Sequence, residues 1–196
     1  MKKTTLLLSF LALYLCSHAQ GGTWTWVNGD QSINGPGNIG TINVPNAANY
    51  PPGRYQSINW IDQNGNFWIF GGVVNSGGDE MQDLWKYNPN TNVWTWVKGP
   101  SIPGGVGVYG TQGVPAPGNI PGGRGWGAVS WTDHQGHLWM HGGYGYDATG
   151  FIETLDDMWM YDIATNQWTW MAGSNIGGGV PTYGTLQVGA AANTPG

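Results

Sequence analysis

The chain has 196 residues, a net charge of −5 and 9% charged residues, with 35 glycines, 13 tryptophans and a single cysteine. Glycine at about 18%, against an ordinary ~7%, demands frequent turns and excludes an architecture of long helices. An aromatic content of 13% excludes a disordered chain.

Residues 1–19 read as a signal peptide. Lys2 and Lys3 give a positive start, Thr4 to Leu15 an apolar run, and Ser17-His18-Ala19 a small-residue cleavage site before Gln20. A lipoprotein anchored through Cys16 is the weaker alternative, because bulky Leu15 stands where a small residue is normal. Export to a secreted or cell-surface location is therefore expected. Without residues 1–19 no cysteine is left, so the fold must hold without disulfides in a compartment that permits them. The remaining basic residues are Arg54, Lys86, Lys98 and Arg124, against eleven acidic ones. That balance excludes non-specific nucleic-acid binding. No second apolar run approaches the ~18 to 20 residues of a membrane span.

Internal repeats organise the rest. Trp24-Thr25-Trp26 recurs as Trp94-Thr95-Trp96 and Trp168-Thr169-Trp170, at spacings of 70 and 74 residues. Arg54 matches Arg124, Trp60 matches Trp131, Trp68 matches Trp139, and Gly71-Gly72 matches Gly142-Gly143. Asp83-Leu84-Trp85-Lys86-Tyr87 matches Asp157-Met158-Trp159-Met160-Tyr161. Even the polar connections keep register, since Gly40-Thr41, Val44 and Asn49 align with Gly110-Thr111, Val114 and Asn119, and with Gly184-Thr185, Val188 and Asn193. The organisation expected is a signal peptide at 1–19, a strand of another repeat at 20–29, one repeat at 30–99, a second at 100–173, and a connection at 174–196.

Within the first repeat four short strands are predicted, at 55–61, 66–71, 83–88 and 93–97. Asn64-Gly65 between apolar runs marks a hairpin, because both positions tolerate positive φ. Pro89 to Asn92 marks a second tight turn. The result is a four-stranded antiparallel sheet per repeat, and alternation places both indoles of Trp94-Thr95-Trp96 on one face of the last strand.

A Gly pair ending the second strand, a Tyr in the third and a Trp opening the fourth are Gly71-Gly72, Tyr87 and Trp94, then Gly142-Gly143, Tyr161 and Trp168. This order resembles the kelch repeat, as in the central domain of galactose oxidase and in secreted bacterial proteins. The resemblance implies an all-β propeller, with two complete four-stranded blades and a partial one, in which Trp85, Trp96, Trp159 and Trp170 are also scaffold residues. A propeller closes with 4 to 8 blades, so either further blades belong to a longer protein, the reading favoured, or two-blade chains assemble. The period departs from the ~50 residues of kelch repeats. The excess lies in the connections at 30–53, 100–123 and 174–196. By the resemblance these share one face with the loops between second and third strands, which makes it the elaborated face.

A residue repeated in register is most simply scaffold, and one that breaks register is the better functional candidate. Arg54 and Arg124 fall in the first class, each expected to pair with a carboxylate such as Asp83 or Asp157 or with loop carbonyls. His134, His137 and His141 break register, but their spacing suits no common metal centre. A galactose-oxidase type of copper cofactor needs a cysteine-linked tyrosine, and the exported chain has no cysteine. Asp62 to Trp68 and Asp133 to Trp139 differ in spacing from the Asp-box and read as hairpin turns. Asp79, Glu80 and Asp83, like Asp156 and Asp157, are candidates for Ca²⁺ or a glycosidase pair, but the in-register Asp83 and Asp157 read as structural. No catalytic, cofactor or metal residue is assigned. The strongest register break is Tyr144 to Phe151, which brings aromatics to the elaborated face beside Tyr109. Tyr109, Tyr144, Tyr146, Asp147 and Phe151 are thus candidate contacts for a protein or glycan partner. The alternatives are a role for these rings as cover over the connections, and a chain that is the first part of a carbohydrate-active hydrolase, lyase or oxidase with catalytic residues elsewhere. A purely structural surface repeat is a third.

Overall fold

The computed structural model describes residues 23–74 and 79–196, and every regular element among them is a β-strand. The signal-peptide reading of residues 1–19, with Cys16, lies outside the described residues. The first sheet joins β1 (Ile58–Ile61), β2 (Phe67–Phe70), β5 (Leu84–Asn88) and β6 (Val93–Lys98) in that order. Between β2 and β5 a short ladder pairs β3 (Val73–Val74) with β4 (Asp79–Glu80). The second sheet joins β8 (Val129–Thr132), β9 (Leu138–Tyr146), β10 (Ile152–Asp162) and β11 (Gln167–Ala172). β7 (Arg124–Gly125) also pairs with β9. Every pairing is antiparallel, and neither sheet closes on itself. The four strands predicted for the first repeat are those of the first sheet, with ends moved by up to three residues.

The two sheets lie face to face. Register places Ile58, Trp60, Trp68, Phe70 and Leu84 on one face of the first sheet. Leu138, Met140, Trp159, Tyr161 and Trp168 share one face of the second. These ten residues, with Val97 and Tyr109, are the buried core. The Trp168 ring sits 5.4 Å from Phe70, 4.9 Å from Tyr161 and 6.4 Å from Trp60. Offset and edge-on aromatic pairs at such distances combine a large apolar burial with favourable quadrupole geometry. The Trp60 indole donates to the Trp139 carbonyl at 2.7 Å, and the hydroxyls of Ser130 and Thr132 donate to Asn59 and Ile61 carbonyls, locking β1 beside β8.

Two buried ion pairs fasten the segment before each sheet to its third strand. The Arg124 guanidinium makes a bidentate contact with Asp157, at 2.5 and 2.8 Å, and also donates to the carbonyls of Gly122 and Gly142. The Trp159 indole and the Tyr109 hydroxyl each donate to the same carboxylate at 2.7 Å. Arg54, Asp83 and Trp85 repeat the arrangement in the first sheet. Burial alone would raise the Asp157 pKa, but the charge of Arg124 and the converging donors hold it below the ordinary carboxylate value. The glycine pairs make room for this. Gly71, at φ +64°, lies against the Arg124 carbonyl, where a Cβ has no space.

The long connections are where the structure departs most from the sequence reading. Their repeated middle does not project from the elaborated face, but lies along the outer edge of the sheet that follows it. In the first connection the Asn43 N–H donates to the Trp96 carbonyl at 2.7 Å, and Asn46 forms an antiparallel bridge with Trp94. In the second, Gly113 donates to Trp170 at 2.8 Å and Ala116 bridges Trp168. The repeated residues build this turn: Val44 donates to Thr41, the Asn49 amide donates to the Val44 carbonyl, and Gly40 leaves room for that amide. A sheet edge that would present unpaired N–H and C=O groups is thereby covered.

Residues 23–28, expected to be an outer strand, have no strand conformation, and Trp24 is 98% exposed.

Trp94 and Trp168 match in sequence but differ in burial, because Trp168 is fully buried between the sheets whereas Trp94 is half-buried against Trp85 and Tyr87 on the other face. Trp168→Ala is expected to cost about 3–5 kcal/mol in chemical denaturation and Trp94→Ala clearly less. Because the folded pKa of Asp157 is depressed, its contribution is complete above about pH 5 and is lost as pH falls below about 4. Stability measured from pH 7 to 3 should fall less steeply for Asp157→Asn, from a starting value lower by about 3–5 kcal/mol, because Arg124 loses its counter-charge.

Candidate functional site

The side chains with chemical potential are largely engaged in the scaffold. Asp62 accepts the N–H groups of Asn64 and Asn66 and the Trp68 indole, closing the β1–β2 turn. Asp133 does the same between β8 and β9 for Gln135, His137 and the Trp139 indole. Burial opposes ionisation of both, yet the converging donors hold both carboxyls below their usual range. These are the hairpin turns that their sequence suggested. His137 meets Asp133 at 2.9 Å through Nδ1, whereas His141 has a buried Nε2 without a hydrogen-bond partner. No group of three or more potential metal ligands occurs among the described residues. Asp156 accepts the Ser174 N–H while Asp157 holds Arg124, so these two neighbouring carboxylates have separate structural tasks.

The five partner-contact candidates take three different positions. Tyr109 is only 5% exposed, with its hydroxyl on Asp157 and its ring 4.9 Å from Trp159. It is an internal brace and is removed from the contact surface. Asp147 is buried and ties the β9–β10 hairpin tip, accepting the N–H groups of Thr149, Phe151 and Gly177 and the Thr149 hydroxyl. Tyr144, Tyr146 and Phe151 remain on the surface or near it, Tyr144 with 43% exposure. Tyr144 and Tyr146 belong to β9 itself, so the segment expected as a loop is a hairpin extension with a five-residue tip at 147–151.

Two residues missing from the sequence-based set complete the surface. Tyr55 and Trp126, 45% and 49% exposed, meet edge-on with ring centroids 5.8 Å apart. The Tyr144 N–H donates to the Trp126 carbonyl at 2.9 Å, which brings the backbone of Tyr144 in β9 beside that of Trp126, just after β7. Their signal was present in the sequence, since Trp126 replaces Gln56 and Tyr55 faces Gly125 across the repeat. Glu80 lies in β4 near this end of the strands. It is buried with Oε2 unpartnered, and its carboxyl is pushed up by burial and by the neighbouring Asp79 charge.

At the end of the strands carrying the short turns, a cleft of about 690 Å³ separates β5 and β6 from the turn after β10. Asn43, Asn46, Asn88, Asn166, Thr91 and Lys86 line it, and the Lys86 ammonium lies 5.8 Å above the Trp68 ring. The cleft offers amide donors and acceptors to a neutral polar ligand. No helix among the described residues is long and apolar enough to cross a membrane.

No family model and no curated protein matches the chain. Among solved structures it is similar to one described as the structure of YjhT, at 21% identity and a TM-score of 0.43. The match covers 65% of this chain and 40% of that one, so the chain spans less than half the length of the structure it matches.

The positions of the aromatics give a direct test. Tyr109→Phe removes a buried hydrogen bond to a carboxylate and is expected to lower unfolding free energy by about 1.5–3 kcal/mol. Tyr144→Ala should change it by less than about 0.5 kcal/mol. The opposite order in urea denaturation would return Tyr109 to the surface.

Proposed function

We propose that the chain is part of a kelch-type β-propeller exported from the cell, and that it acts as a non-enzymatic module binding a protein or a carbohydrate. Support for the propeller comes from the sequence repeats and from a four-stranded and a five-stranded antiparallel sheet stacked face to face, with β1 beside β8. The observation that carries the binding reading is the Tyr55, Trp126 and Tyr144 surface. These rings stand where the other repeat carries Gly125, Gln56 and Val73, and all three are exposed. Rigid aromatic rings supply contact area with little loss of conformational freedom, and each tyrosine adds a hydroxyl for hydrogen bonding. A sugar ring or an apolar peptide side chain is a suitable partner for such a surface.

A second reading, as part of a carbohydrate-active enzyme, draws on Glu80. A buried carboxyl with a raised pKa at the same end of the strands has the character of a general acid.

A glycan array and a pull-down from extracellular fluid, each with the chain as bait, test the first reading. Trp126→Ala is expected to weaken the captured interaction at least about tenfold, equivalent to about 1.4 kcal/mol, with an unchanged melting temperature. Binding indifferent to both Trp126→Ala and Tyr144→Ala would overturn it. Release of sugar from a captured glycan, abolished in Glu80→Gln, would favour the enzyme.

A further inference from the structure

The cleft at the short-turn end is walled by residues between positions 43 and 166, which lie in the two complete repeats and the first connection. By type its side chains suit a neutral polar ligand, but their hydrogen bonds narrow the choice. Asn46 Oδ1 accepts the Ala48 N–H, Asn88 Oδ1 accepts the Asn90 N–H, and Asn166 Oδ1 accepts the Tyr161 hydroxyl, each at 2.9 Å. A main-chain N–H can only donate, so the first two bonds fix which end of each amide is the oxygen. The NH2 groups of all three amides meet no protein acceptor among the described residues. The fourth lining amide, Asn43, and the Thr91 hydroxyl can take either role. The cleft therefore presents more donors than acceptors.

Lys86 adds a positive charge. It pairs with Trp68 across β2 and β5, which puts its half-buried side chain on the face turned toward the second sheet. Among the described residues its ammonium meets no carboxylate, and no Asp or Glu lines the cleft. The neighbouring carboxylates are engaged in their own turns, Asp62 by Asn66 and the Trp68 indole, Asp162 by the Ala164 N–H and the Thr165 hydroxyl. A partly buried ammonium without a counter-ion bears a desolvation cost that an anion would offset. The scaffold does not demand this arrangement, since the second repeat carries Ala116, Met160 and Asp162 where the first has Asn46, Lys86 and Asn88. We infer that the cleft binds a compact organic carboxylate carrying further acceptor oxygens. One carboxylate group meets the Lys86 ammonium, and the remaining oxygens accept from the amides of Asn46, Asn88 and Asn166. A volume of about 690 Å³ holds more than a bare oxyanion. The site lies at the opposite end of the strands from Tyr55, Trp126 and Tyr144, so it is independent of the partner surface.

Titration of the chain with citrate tests this, followed by the side-chain amide and indole signals in proton–nitrogen correlation spectra. Citrate is expected to shift the Asn46, Asn88 and Trp68 signals along a single saturating curve. Succinamide, a neutral molecule with donors of its own, should bind at least about tenfold more weakly, and inorganic sulfate, too small to reach the three amides together, should also bind more weakly. Lys86→Met copies the residue of the second repeat and removes the charge. Asn88→Asp keeps the acceptor for the Asn90 N–H but sets a carboxylate among the donors. Each variant should lower citrate affinity at least about tenfold, with an unchanged melting temperature. The inference is overturned if citrate leaves these signals unmoved, or if succinamide or sulfate binds as tightly as citrate. Citrate binding that ignores both variants overturns it as well.

Discussion

A β-sheet that ends in an open strand presents a row of main-chain donors and acceptors, and this molecule is arranged around closing that row. The outer strands β6 and β11 are each met by a turn from the connection ahead of their own sheet. The requirement explains why each repeat is so long. The additional residues form no ornament on a loop, because they supply the hydrogen bonds that a neighbouring strand would otherwise have to give. It also explains the in-register glycines and asparagines of the connections. Gly40, Gly110 and Gly184 take positive φ and lie against the Asn49, Asn119 and Asn193 amides, where any side chain would collide.

Inside that frame the two sheets are held by unlike forces. Apolar burial between the facing sheets is large but tolerant of sliding, since rings such as Phe70 and Trp168 meet their neighbours through shape alone. The Arg54–Asp83 and Arg124–Asp157 pairs tolerate no displacement, because each carboxylate receives donors from a guanidinium and an indole at once. A buried pair of this kind contributes little net stability compared with a well-packed apolar substitute, but a misplaced one is heavily penalised. Its effect is to fix where the chain enters each sheet.

Strand positions were legible in the sequence because two signals coincided. Alternation and the Asn64-Gly65 turn gave the β1–β2 hairpin, and the recurring tryptophans supplied the register of the last strands. The location of the connections was not legible. A polar, glycine-rich stretch reads as a surface loop, and nothing in its composition says that Asn43 donates to Trp96, 53 positions later in the chain. Tyr109 was misplaced for a related reason. It lies in the second connection, which was expected on the elaborated face beside Tyr144 to Phe151. In the structure its hydroxyl is a further donor to the Asp157 carboxylate. Trp126 stands where the first repeat has Gln56, but one ring at the start of a strand carries no sign in the sequence that Tyr55, 71 positions earlier, lies beside it.

The order of cover and edge along the chain has a consequence for synthesis. A ribosome delivers residues 43–49 before 93–98, and residues 113–119 before 167–172. Each protective turn therefore already exists when the strand it covers emerges, and the interval in which a newly made edge can find a foreign strand is short. A connection placed after its sheet would build the same contacts but leave each nascent edge open until later residues arrived. The polarity of the repeat, cover first and edge second, thus guards the growing polypeptide as well as the finished one.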